Sequence, residues 1–163
     1  MERIAAPAIL GSHLRVAGSY ALWLRLTAPI ELSVGRLGCW AFAAGDYMYL
    51  GSARGPGGLA TRVGRHMRQD DKRRRWHIDY LLEHATMVEV WLRPGVERLE
   101  CIWAKYLHRV WAGRVIVAGF GASDCRCPTH LLYWPALPDP AALCAGLESV
   151  ARYAAAGPSS TRK

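Results

Sequence analysis

Apolar residues alternate with a period of two along the first third of the chain, and this pattern predicts β-strands. One strand begins at Gly18 and places Tyr20 and the leucines that follow it on one face, with Trp23 on the opposite face. A strand over 47–52 alternates in the same way and places Tyr49 on one of its faces. Shorter strands are predicted over 30–34 and 39–43, with turns over 35–38 and at 45–46.

Apolar residues at helical spacing predict helices in the middle of the chain. Leu59 and the apolar residues at i+4 and i+8 predict a helix over 59–69, after a glycine-rich loop. The longest predicted helix covers 96–111, and Glu100 lies beside its apolar stripe. That stripe consists of Val96, Leu99, Trp103, Leu107 and Val110. The other predictions are a helix over 76–85, strands over 87–92, 115–118 and 131–134, a loop over 119–129 and a terminal helix over 141–155.

The composition is that of one globular domain, because 52% of the 163 residues are hydrophobic and 21% are charged. We expect this domain to cover 15–156, between an N-terminal arm over 1–14 and a C-terminal tail over 157–163. No run of about 18 apolar residues predicts a transmembrane helix, and the first residues lack the apolar stretch of a secretory signal. Five cysteines, an odd number, favour reduced thiols and a cytoplasmic location.

Basic residues outnumber acidic ones by 21 to 13, and the net charge of +8 favours a polyanionic partner such as nucleic acid. Eight basic and two acidic residues lie between 54 and 75, so this window carries +6. A solvated face is the alternative, but this concentration of charge favours contacts with phosphate groups. The candidates are Arg54, Arg65, Arg68, Lys72, Arg73, Arg74, Arg75 and His77. For His77 the alternative is a structural role, as a helix cap or paired with Asp79.

Four residues in these elements have the chemistry that phosphodiester hydrolysis requires. Arg62 and His66 are four residues apart on a predicted helix and therefore share one face. Glu100 lies at the edge of an apolar stripe, where a half-buried carboxylate has to be paired, protonated or bound to a cation. A cation polarises phosphate, an arginine offsets the charge of the transition state, and Tyr49 or a histidine takes a proton from water. Each residue alone has an ordinary structural explanation, and only their combination favours chemistry.

Two short strings, Gly18-Ser19-Tyr20 and Tyr49-Leu50-Gly51-Ser52-Ala53, are followed by Arg62-Val63-Gly64-Arg65-His66 and then by Glu100. In this order they resemble the two halves of the GIY-YIG nuclease motif, that family's catalytic arginine with a following histidine, and its metal-binding glutamate. Longer strings resemble a branch of this superfamily that is also found fused to endonuclease III-type glycosylases. These strings are Trp76-His77-Ile78-Asp79-Tyr80-Leu81, Glu100-Cys101 and Gly119-Phe120-Gly121-Ala122-Ser123-Asp124-Cys125-Arg126-Cys127, with His130 after them. The resemblance extends from Gly18 to Trp134.

The resemblance implies an α/β (α+β) fold with a small, mostly antiparallel central sheet flanked by helices. It implies that Tyr20 and Tyr49 line the site, that Arg62 contacts the scissile phosphate, and that Glu100 holds one Mg²⁺ or Mn²⁺ ion. Tyr49 would orient or deprotonate the water, with Tyr20 or His66 as alternatives. The implied function is a metal-dependent endonuclease acting on DNA, with RNA as an alternative partner and no membrane partner. The second hypothesis is a nucleic-acid-binding module on a scaffold that has lost catalysis.

The chain departs from the family pattern at three points. Ser19 stands where an apolar residue is usual, and 29 positions separate Tyr20 from Tyr49. The additional length, over 28–45, predicts an inserted strand or turn. The family's late asparagine has no counterpart, because the chain contains no asparagine. The candidates for its place are Ser123, Asp124 and His130.

Cysteines cluster in the loop that follows the predicted strand over 115–118. Cys125, Cys127 and His130, together with Cys101, could bind Zn²⁺ through thiolate and imidazole groups. The Cys-x-Cys spacing is not a strong zinc signature, and we interpret these residues as buried thiols in a tight loop. A zinc-stabilised interaction domain, in which these residues bind the ion, is the third hypothesis for the function.

Overall fold

The computed structural model describes residues 11–68 and 73–155, and helices cover both faces of one central β-sheet. The helices in these residues are α1 (Gly58–Met67), α2 (His77–Leu82), α3 (Glu100–Arg109) and α4 (Pro140–Ala145). The strands are β1 (Gly18–Leu26), β2 (Ile30–Ser33), β3 (Cys39–Phe42), β4 (Gly45–Ala53), β5 (Thr86–Pro94), β6 (Arg114–Val115), β7 (Leu131–Trp134) and β8 (Ala151–Ala154). Short 3-10 turns cover Ser12–Leu14 and Gly35–Leu37.

Six strands form an antiparallel sheet in the order β6-β7-β4-β1-β5-β8, so β1 lies near its centre. The register between β1 and β4 places Tyr20 opposite Gly51 and Leu22 opposite Tyr49. The start of β1 and the end of β4 therefore meet at the same end of the sheet. The predicted α+β fold, with a mostly antiparallel central sheet flanked by helices, is confirmed.

Both faces of the sheet are buried, and the predicted alternation along β1 and β4 is confirmed. One face packs against α1 and α2, and the other packs against α3 and α4. The first face carries Tyr20, Leu22, Leu24, Leu26, Tyr47 and Tyr49, and the second carries Ala21, Trp23, Met48 and Leu50. Each buried leucine stabilises the fold by about 1.5–3 kcal/mol relative to an exposed one. The alternation therefore fixes which helices face the two tyrosines.

The long connection between β1 and β4 forms a small sheet of its own, which confirms that the segment over 28–45 contains strands. β2 and β3 pair with each other in antiparallel orientation. Val34 and Phe42 are fully buried in the core on the α1 and α2 side of the central sheet. This segment lies between Tyr20 and Tyr49 in the sequence without separating them in space, since their ring centroids are 6.4 Å apart.

The prediction of a terminal helix over 141–155 is wrong beyond Ala145, where α4 ends. The chain leaves α4 early, and Glu148 and Ser149 have φ angles of 54° and 55°, which interrupt a helix. The chain then adds β8 to the edge of the sheet, where Arg152 donates a hydrogen bond to the buried carboxylate of Glu89 at 2.7 Å. The alanine-rich composition favours a helix, but pairing with β5 and this ion pair stabilise a strand.

The helix predicted over 96–111 is also shorter than expected. α3 starts only after the chain has crossed from the end of β5, and Val96 is 78% exposed. Val110 follows the last residue of α3 and is exposed as well, so neither valine belongs to the apolar stripe. Trp103 and Leu107 are buried as predicted.

The predicted turn at Gly45-Asp46 is the start of β4. The Asp46 carboxylate accepts hydrogen bonds from Nε1 of Trp23 and Nε of Arg25, both at 3.0 Å, and these bonds fix the strand pair. The strand predicted over 131–134 is confirmed with the same ends, and the remaining predicted strands and helices are present with shifted ends. Leu14, expected in a loose arm, is buried.

Some predictions fall on residues outside the described ranges. These are the first ten residues of the arm, Gln69 at the predicted end of α1, Lys72, and the tail over 157–163. Within residues 11–68 and 73–155, no helix has the length and hydrophobicity that crossing a bilayer requires.

Candidate active site

A cleft of about 260 Å³ opens where the start of β1 and the end of β4 meet α1 and the start of α3. Six segments that are separate in sequence form its walls. The lining residues are Tyr20, Tyr49, Leu50, Gly51, Ser52, Arg62, Arg75, Trp76, His77, Arg98, Glu100, Gly121, Ser123, Asp124 and His130. The structure therefore brings Tyr20, Tyr49, Arg62 and Glu100 together around one cavity.

The two tyrosines lie on neighbouring strands and are held by close backbone contacts. The ring of Tyr20 packs directly on Gly51, where a Cβ atom would lie 2.5 Å from the ring. Gly121 has a φ angle of +67°, and a Cβ atom there would lie 2.8 Å from the ring of Tyr49. A side chain at either glycine would displace a tyrosine, which explains the glycine that follows Tyr49-Leu50.

His66 is buried and contacts both tyrosines from α1. The hydroxyl group of Tyr20 lies 2.8 Å from Nε2 of His66. Burial raises the pKa of Tyr20 well above its ordinary value, and Tyr49 adds to this rise while Arg62 opposes it. Burial likewise raises the pKa of Tyr49, again against the effect of Arg62. Both hydroxyl groups are therefore protonated at pH 7.

The indole of Trp76 holds the arginine side chains beside the cleft. The guanidinium carbons of Arg62, Arg65 and Arg75 lie 4.2, 4.3 and 5.1 Å from its ring centroid. Such cation–π contacts position a guanidinium group without neutralising its charge. Arg62 and Arg75 line the cleft, so their charges face it.

Arg65 has a different environment from the other two arginines. Its guanidinium group donates to both carboxylate oxygens of the buried Asp79, at 2.8 and 3.0 Å. Asp79 also accepts the backbone N–H groups of Arg75 and Trp76, which fixes the start of α2. Burial acts to raise the pKa of Asp79, but these hydrogen bonds outweigh it and hold the pKa below its usual value. Arg65 therefore stabilises the segment that carries Trp76.

Glu100 is the first residue of α3, and its carboxylate is buried at the cleft. Its Oε1 atom accepts hydrogen bonds from Oγ of Ser52 at 3.3 Å and from Nε of Arg98 at 3.3 Å. Its Oε2 atom is buried and has no hydrogen-bond partner in the described part of the chain. A buried carboxylate oxygen without a donor is an available ligand for a cation.

Ser19 on β1 holds the backbone that directly precedes Glu100. Its buried hydroxyl group accepts the N–H of Leu99 at 3.1 Å and donates to the carbonyl oxygen of Glu97 at 3.3 Å. These bonds satisfy a backbone donor at the start of α3 and tie it to β1. The polar residue between Gly18 and Tyr20 is thus explained by its contact with the helix that carries the carboxylate.

The loop between β6 and β7 forms the remaining wall. The backbone N–H of Gly121 donates to Nδ1 of His77 at 2.9 Å, so His77 contacts this loop. The described hydrogen-bond partners of Asp79 are Arg65 and the backbone N–H groups of Arg75 and Trp76, and His77 is not among them. Ser123, Asp124 and His130 all line the cleft, and Asp124 lies 3.5 Å from Nη2 of Arg98. Burial lowers the pKa values of His77 and His130, so both rings are neutral at pH 7.

The predicted phosphate-contact residues divide into three groups. Arg75 and His77 line the cleft. Arg54, Arg68 and Arg73 are exposed outside it. Arg74 is exposed but forms an ion pair with Glu83 at 2.6 Å, and Arg65 forms one with Asp79. Lys72 lies outside the described residues.

Sequence reasoning missed two contributors to the site. Ser52 and Arg98 both contact Glu100, and Arg98 lies between the carboxylates of Glu100 and Asp124. Ser52 lies in the string around Tyr49 but is assigned no role there, and Arg98 lies in none of the strings, because both roles depend on the approach of α3 to the end of β4. A second group of possible metal ligands, Cys101, Cys125, Cys127 and His130, adjoins the loop wall.

Comparison with known proteins identifies one family. The family model described as "Domain of unknown function DUF123" matches residues 19–152. No curated protein and no solved structure matches the chain. The matched range includes every residue that lines the cleft.

Proposed function

The chain belongs to the DUF123 family, and we propose that it is a metal-dependent endonuclease that hydrolyses phosphodiester bonds in DNA. The observation that carries this proposal is the convergence of Tyr20, Tyr49, Arg62 and Glu100 on one cleft. The resemblance of the motifs around these residues to GIY-YIG nucleases supports it. The free cysteines are compatible with a reducing compartment, for which we propose the cytoplasm.

The donor set at Glu100 fits a hard divalent cation. Its unpartnered Oε2 atom supplies one buried carboxylate ligand, and Asp124 adds a second carboxylate at the same cleft. Mg²⁺ and Mn²⁺ accept one or two carboxylates and complete their coordination with water and phosphate oxygens. A bound ion supplies charge stabilisation to a phosphate oxygen.

Arg62 supplies positive charge to the same phosphate. Its guanidinium group stacks on Trp76 at 4.2 Å and lines the cleft, and its partner in that stack is uncharged. Hydrolysis at phosphorus increases the negative charge on the non-bridging oxygens in the transition state. A fixed guanidinium group therefore stabilises the transition state more than the bound substrate.

Tyr20 and His66 provide a route for the proton of the attacking water. Burial raises the pKa of Tyr20, so its hydroxyl group is protonated at pH 7. A protonated hydroxyl group can take a proton from water only if it gives up its own proton at the same time. It can accept the proton of water while passing its own to Nε2 of His66, 2.8 Å away. Tyr49, which has no hydrogen-bond partner of this kind among the described residues, would orient the water.

The charges around the cleft suit a phosphodiester backbone. Three arginines line it, Arg62, Arg75 and Arg98, against the carboxylates of Glu100 and Asp124. Arginines outside the cleft, Arg54, Arg68 and Arg73, are exposed and add positive charge to the surface. Neutralising phosphates with such charges gives salt-dependent binding. RNA offers the same phosphates, so it is included as a competing substrate in the test.

One contact favours the second hypothesis, a nucleic-acid-binding module without catalysis. Nη2 of Arg98 lies 3.2 Å from Oε1 of Glu100, and this ion pair compensates the carboxylate without a metal ion. In a nuclease the same arginine has to share Glu100 with the cation. The two hypotheses therefore differ in whether bound DNA is cleaved when a divalent ion is present.

Incubation of the full chain with labelled DNA tests the proposal. The substrates are single strands, plain duplex, abasic duplex, flaps and branched junctions, and an RNA of the same sequence, each with Mg²⁺, Mn²⁺ or EDTA. We expect at least one DNA substrate to be cut with Mg²⁺ or Mn²⁺ and none with EDTA. Salt-sensitive binding without cleavage under any metal condition would favour the binding module, and cleavage of RNA alone would overturn the choice of DNA.

A further inference from the structure

Three thiols and one imidazole converge beside the cleft, although they are distant along the chain. Cys101 lies in the first turn of α3, Cys125 and Cys127 lie in the loop between β6 and β7, and His130 directly precedes β7. Their possible ligand atoms all lie within 4.8 Å of one another. All four cysteine and histidine side chains are at least half-buried, and the three cysteines are free thiols.

The distances within this cluster match those around a tetrahedral zinc ion. With Zn–S and Zn–N bonds of about 2.3 and 2.0 Å, a sulfur and a nitrogen ligand lie about 3.5 Å apart. Nε2 of His130 lies 3.5 Å from Sγ of Cys101 and 3.5 Å from Sγ of Cys125. Thiol–imidazole contacts alone do not explain the arrangement, because thiols are weak hydrogen-bond donors and here three of them crowd one ring.

We propose that Cys101, Cys125, Cys127 and His130 bind one structural Zn²⁺ ion. Soft thiolate ligands together with an imidazole select zinc over Mg²⁺ or Mn²⁺, which prefer oxygen. Four protein ligands complete a tetrahedral shell and leave no position for water or substrate. This ion is therefore distinct from the one proposed at Glu100.

The position of the cluster gives the zinc ion a defined structural role. Cys101 directly follows Glu100, and Cys125 directly follows Asp124. Glu100 and Asp124 both line the cleft, so these two ligands are adjacent in sequence to cleft residues. The N–H of Leu50 in β4 also donates to the carbonyl oxygen of His130 at 2.9 Å. An ion bound by these residues ties the start of α3, the loop and β4 together. It fixes two walls of the cleft relative to each other.

Zinc content of the purified, untagged full chain tests this inference without any assay of DNA cleavage. The chain is expressed with added zinc, dialysed against a weak chelator and analysed by atomic emission. We expect about one zinc ion per chain, as for a closed four-ligand site. The variants Cys125→Ser and Cys127→Ser should lose it, whereas Cys39→Ser, an exposed cysteine outside the cluster, should retain it.

Two measurements on the wild-type chain keep the test decisive if the cluster variants do not fold. Removal of zinc by EDTA should lower the melting temperature, and added Zn²⁺ but not Mg²⁺ should restore it. Reconstitution with Co²⁺ should give the thiolate charge-transfer and visible bands of a tetrahedral site. A wild-type chain without zinc, an iron–sulfur chromophore, a disulfide among these cysteines, or zinc retained in both serine variants would each overturn the proposal.

Discussion

The hydroxyl group of Tyr20 lies 2.8 Å from Nε2 of His66, and both side chains are buried beside the cleft. This contact joins a residue of the first motif on β1 to a residue of α1, 46 positions later. It gives a phenol in the cleft wall a partner that can exchange a proton with it. Tyr49 is equally close to the cleft but has no corresponding partner among the described residues.

The variant Tyr20→Phe tests the proton route. It keeps the ring that packs on Gly51 and removes only the hydroxyl group, so we expect a stability loss of about 0.5–1.5 kcal/mol. If Tyr20 transfers the proton, kcat should fall by about 100-fold or more. The matched control is Tyr106→Phe, on α3 outside the cleft. Unchanged kcat in the Tyr20 variant would assign the proton transfer to another group.

Arg62→Ala separates binding of the transition state from binding of DNA. Because its charge matters most when the phosphate gains charge, kcat should fall by about 100- to 1,000-fold, and Kd for DNA should change much less. Single-turnover cleavage and fluorescence anisotropy measure the two quantities. Arg68→Ala, an exposed arginine after the end of α1, should leave kcat unchanged. An equal loss of kcat and affinity would contradict the role of Arg62.

The salt dependence of DNA binding distinguishes the arginines between α1 and α2. Arg73 and Arg75 have no carboxylate partner among the described residues, whereas Arg74 pairs with Glu83 at 2.6 Å. Replacing both Arg73 and Arg75 by alanine should weaken binding and lower the slope of log K against log salt by about 1.8, because each phosphate that an arginine neutralises adds about 0.9 to that slope. Arg74→Ala should have a smaller effect. An unchanged slope in the double variant would identify this run as solvated surface.

Asp79 should make stability depend on acid pH. Its pKa is lowered in the folded chain, so it stabilises the fold above its unfolded pKa of about 3.9, and this contribution is lost as pH falls through the folded value. Urea unfolding at a series of pH values should show the free energy of unfolding decreasing below about pH 5. Asp79→Asn should cost about 3 kcal/mol at pH 7, because Arg65 loses a buried partner, and should flatten this decrease. The same acid profile in both chains would contradict the assignment.

The sequence was sufficient to predict the sheet strands that carry the tyrosines and the two faces of the sheet. Successive side chains of a strand point to opposite faces, so the tyrosines and leucines of β1 lie on one face although both faces of β1 and β4 are buried. That Tyr20 and Tyr49 line one site was implied by the resemblance alone, and the antiparallel pairing of β1 with β4 places them on the same face of the sheet. Arg62 and His66 followed from helical spacing on α1.

The remaining features depend on contacts between distant segments. Ser19 and Arg98 act on Glu100 only because α3 begins beside the start of β1 and the end of β4. β8 required the buried Glu89 as a partner for Arg152, which local alanine content does not indicate. The sequence does not predict that the proposed zinc ligands converge, because Cys101 lies 24 positions before Cys125 and sequence spacing does not show that the fold brings these thiols together.

Cleavage and binding by Glu100→Gln, measured side by side, test the central claim most directly. The substrate is the DNA that the wild-type chain cuts best, and the control is Glu97→Gln, an exposed carboxylate three residues earlier. If Glu100 holds the catalytic ion, metal-dependent cleavage should fall by about 1,000-fold or more, while Kd for DNA stays within a few-fold or decreases. Cleavage at the wild-type rate by Glu100→Gln would contradict the account.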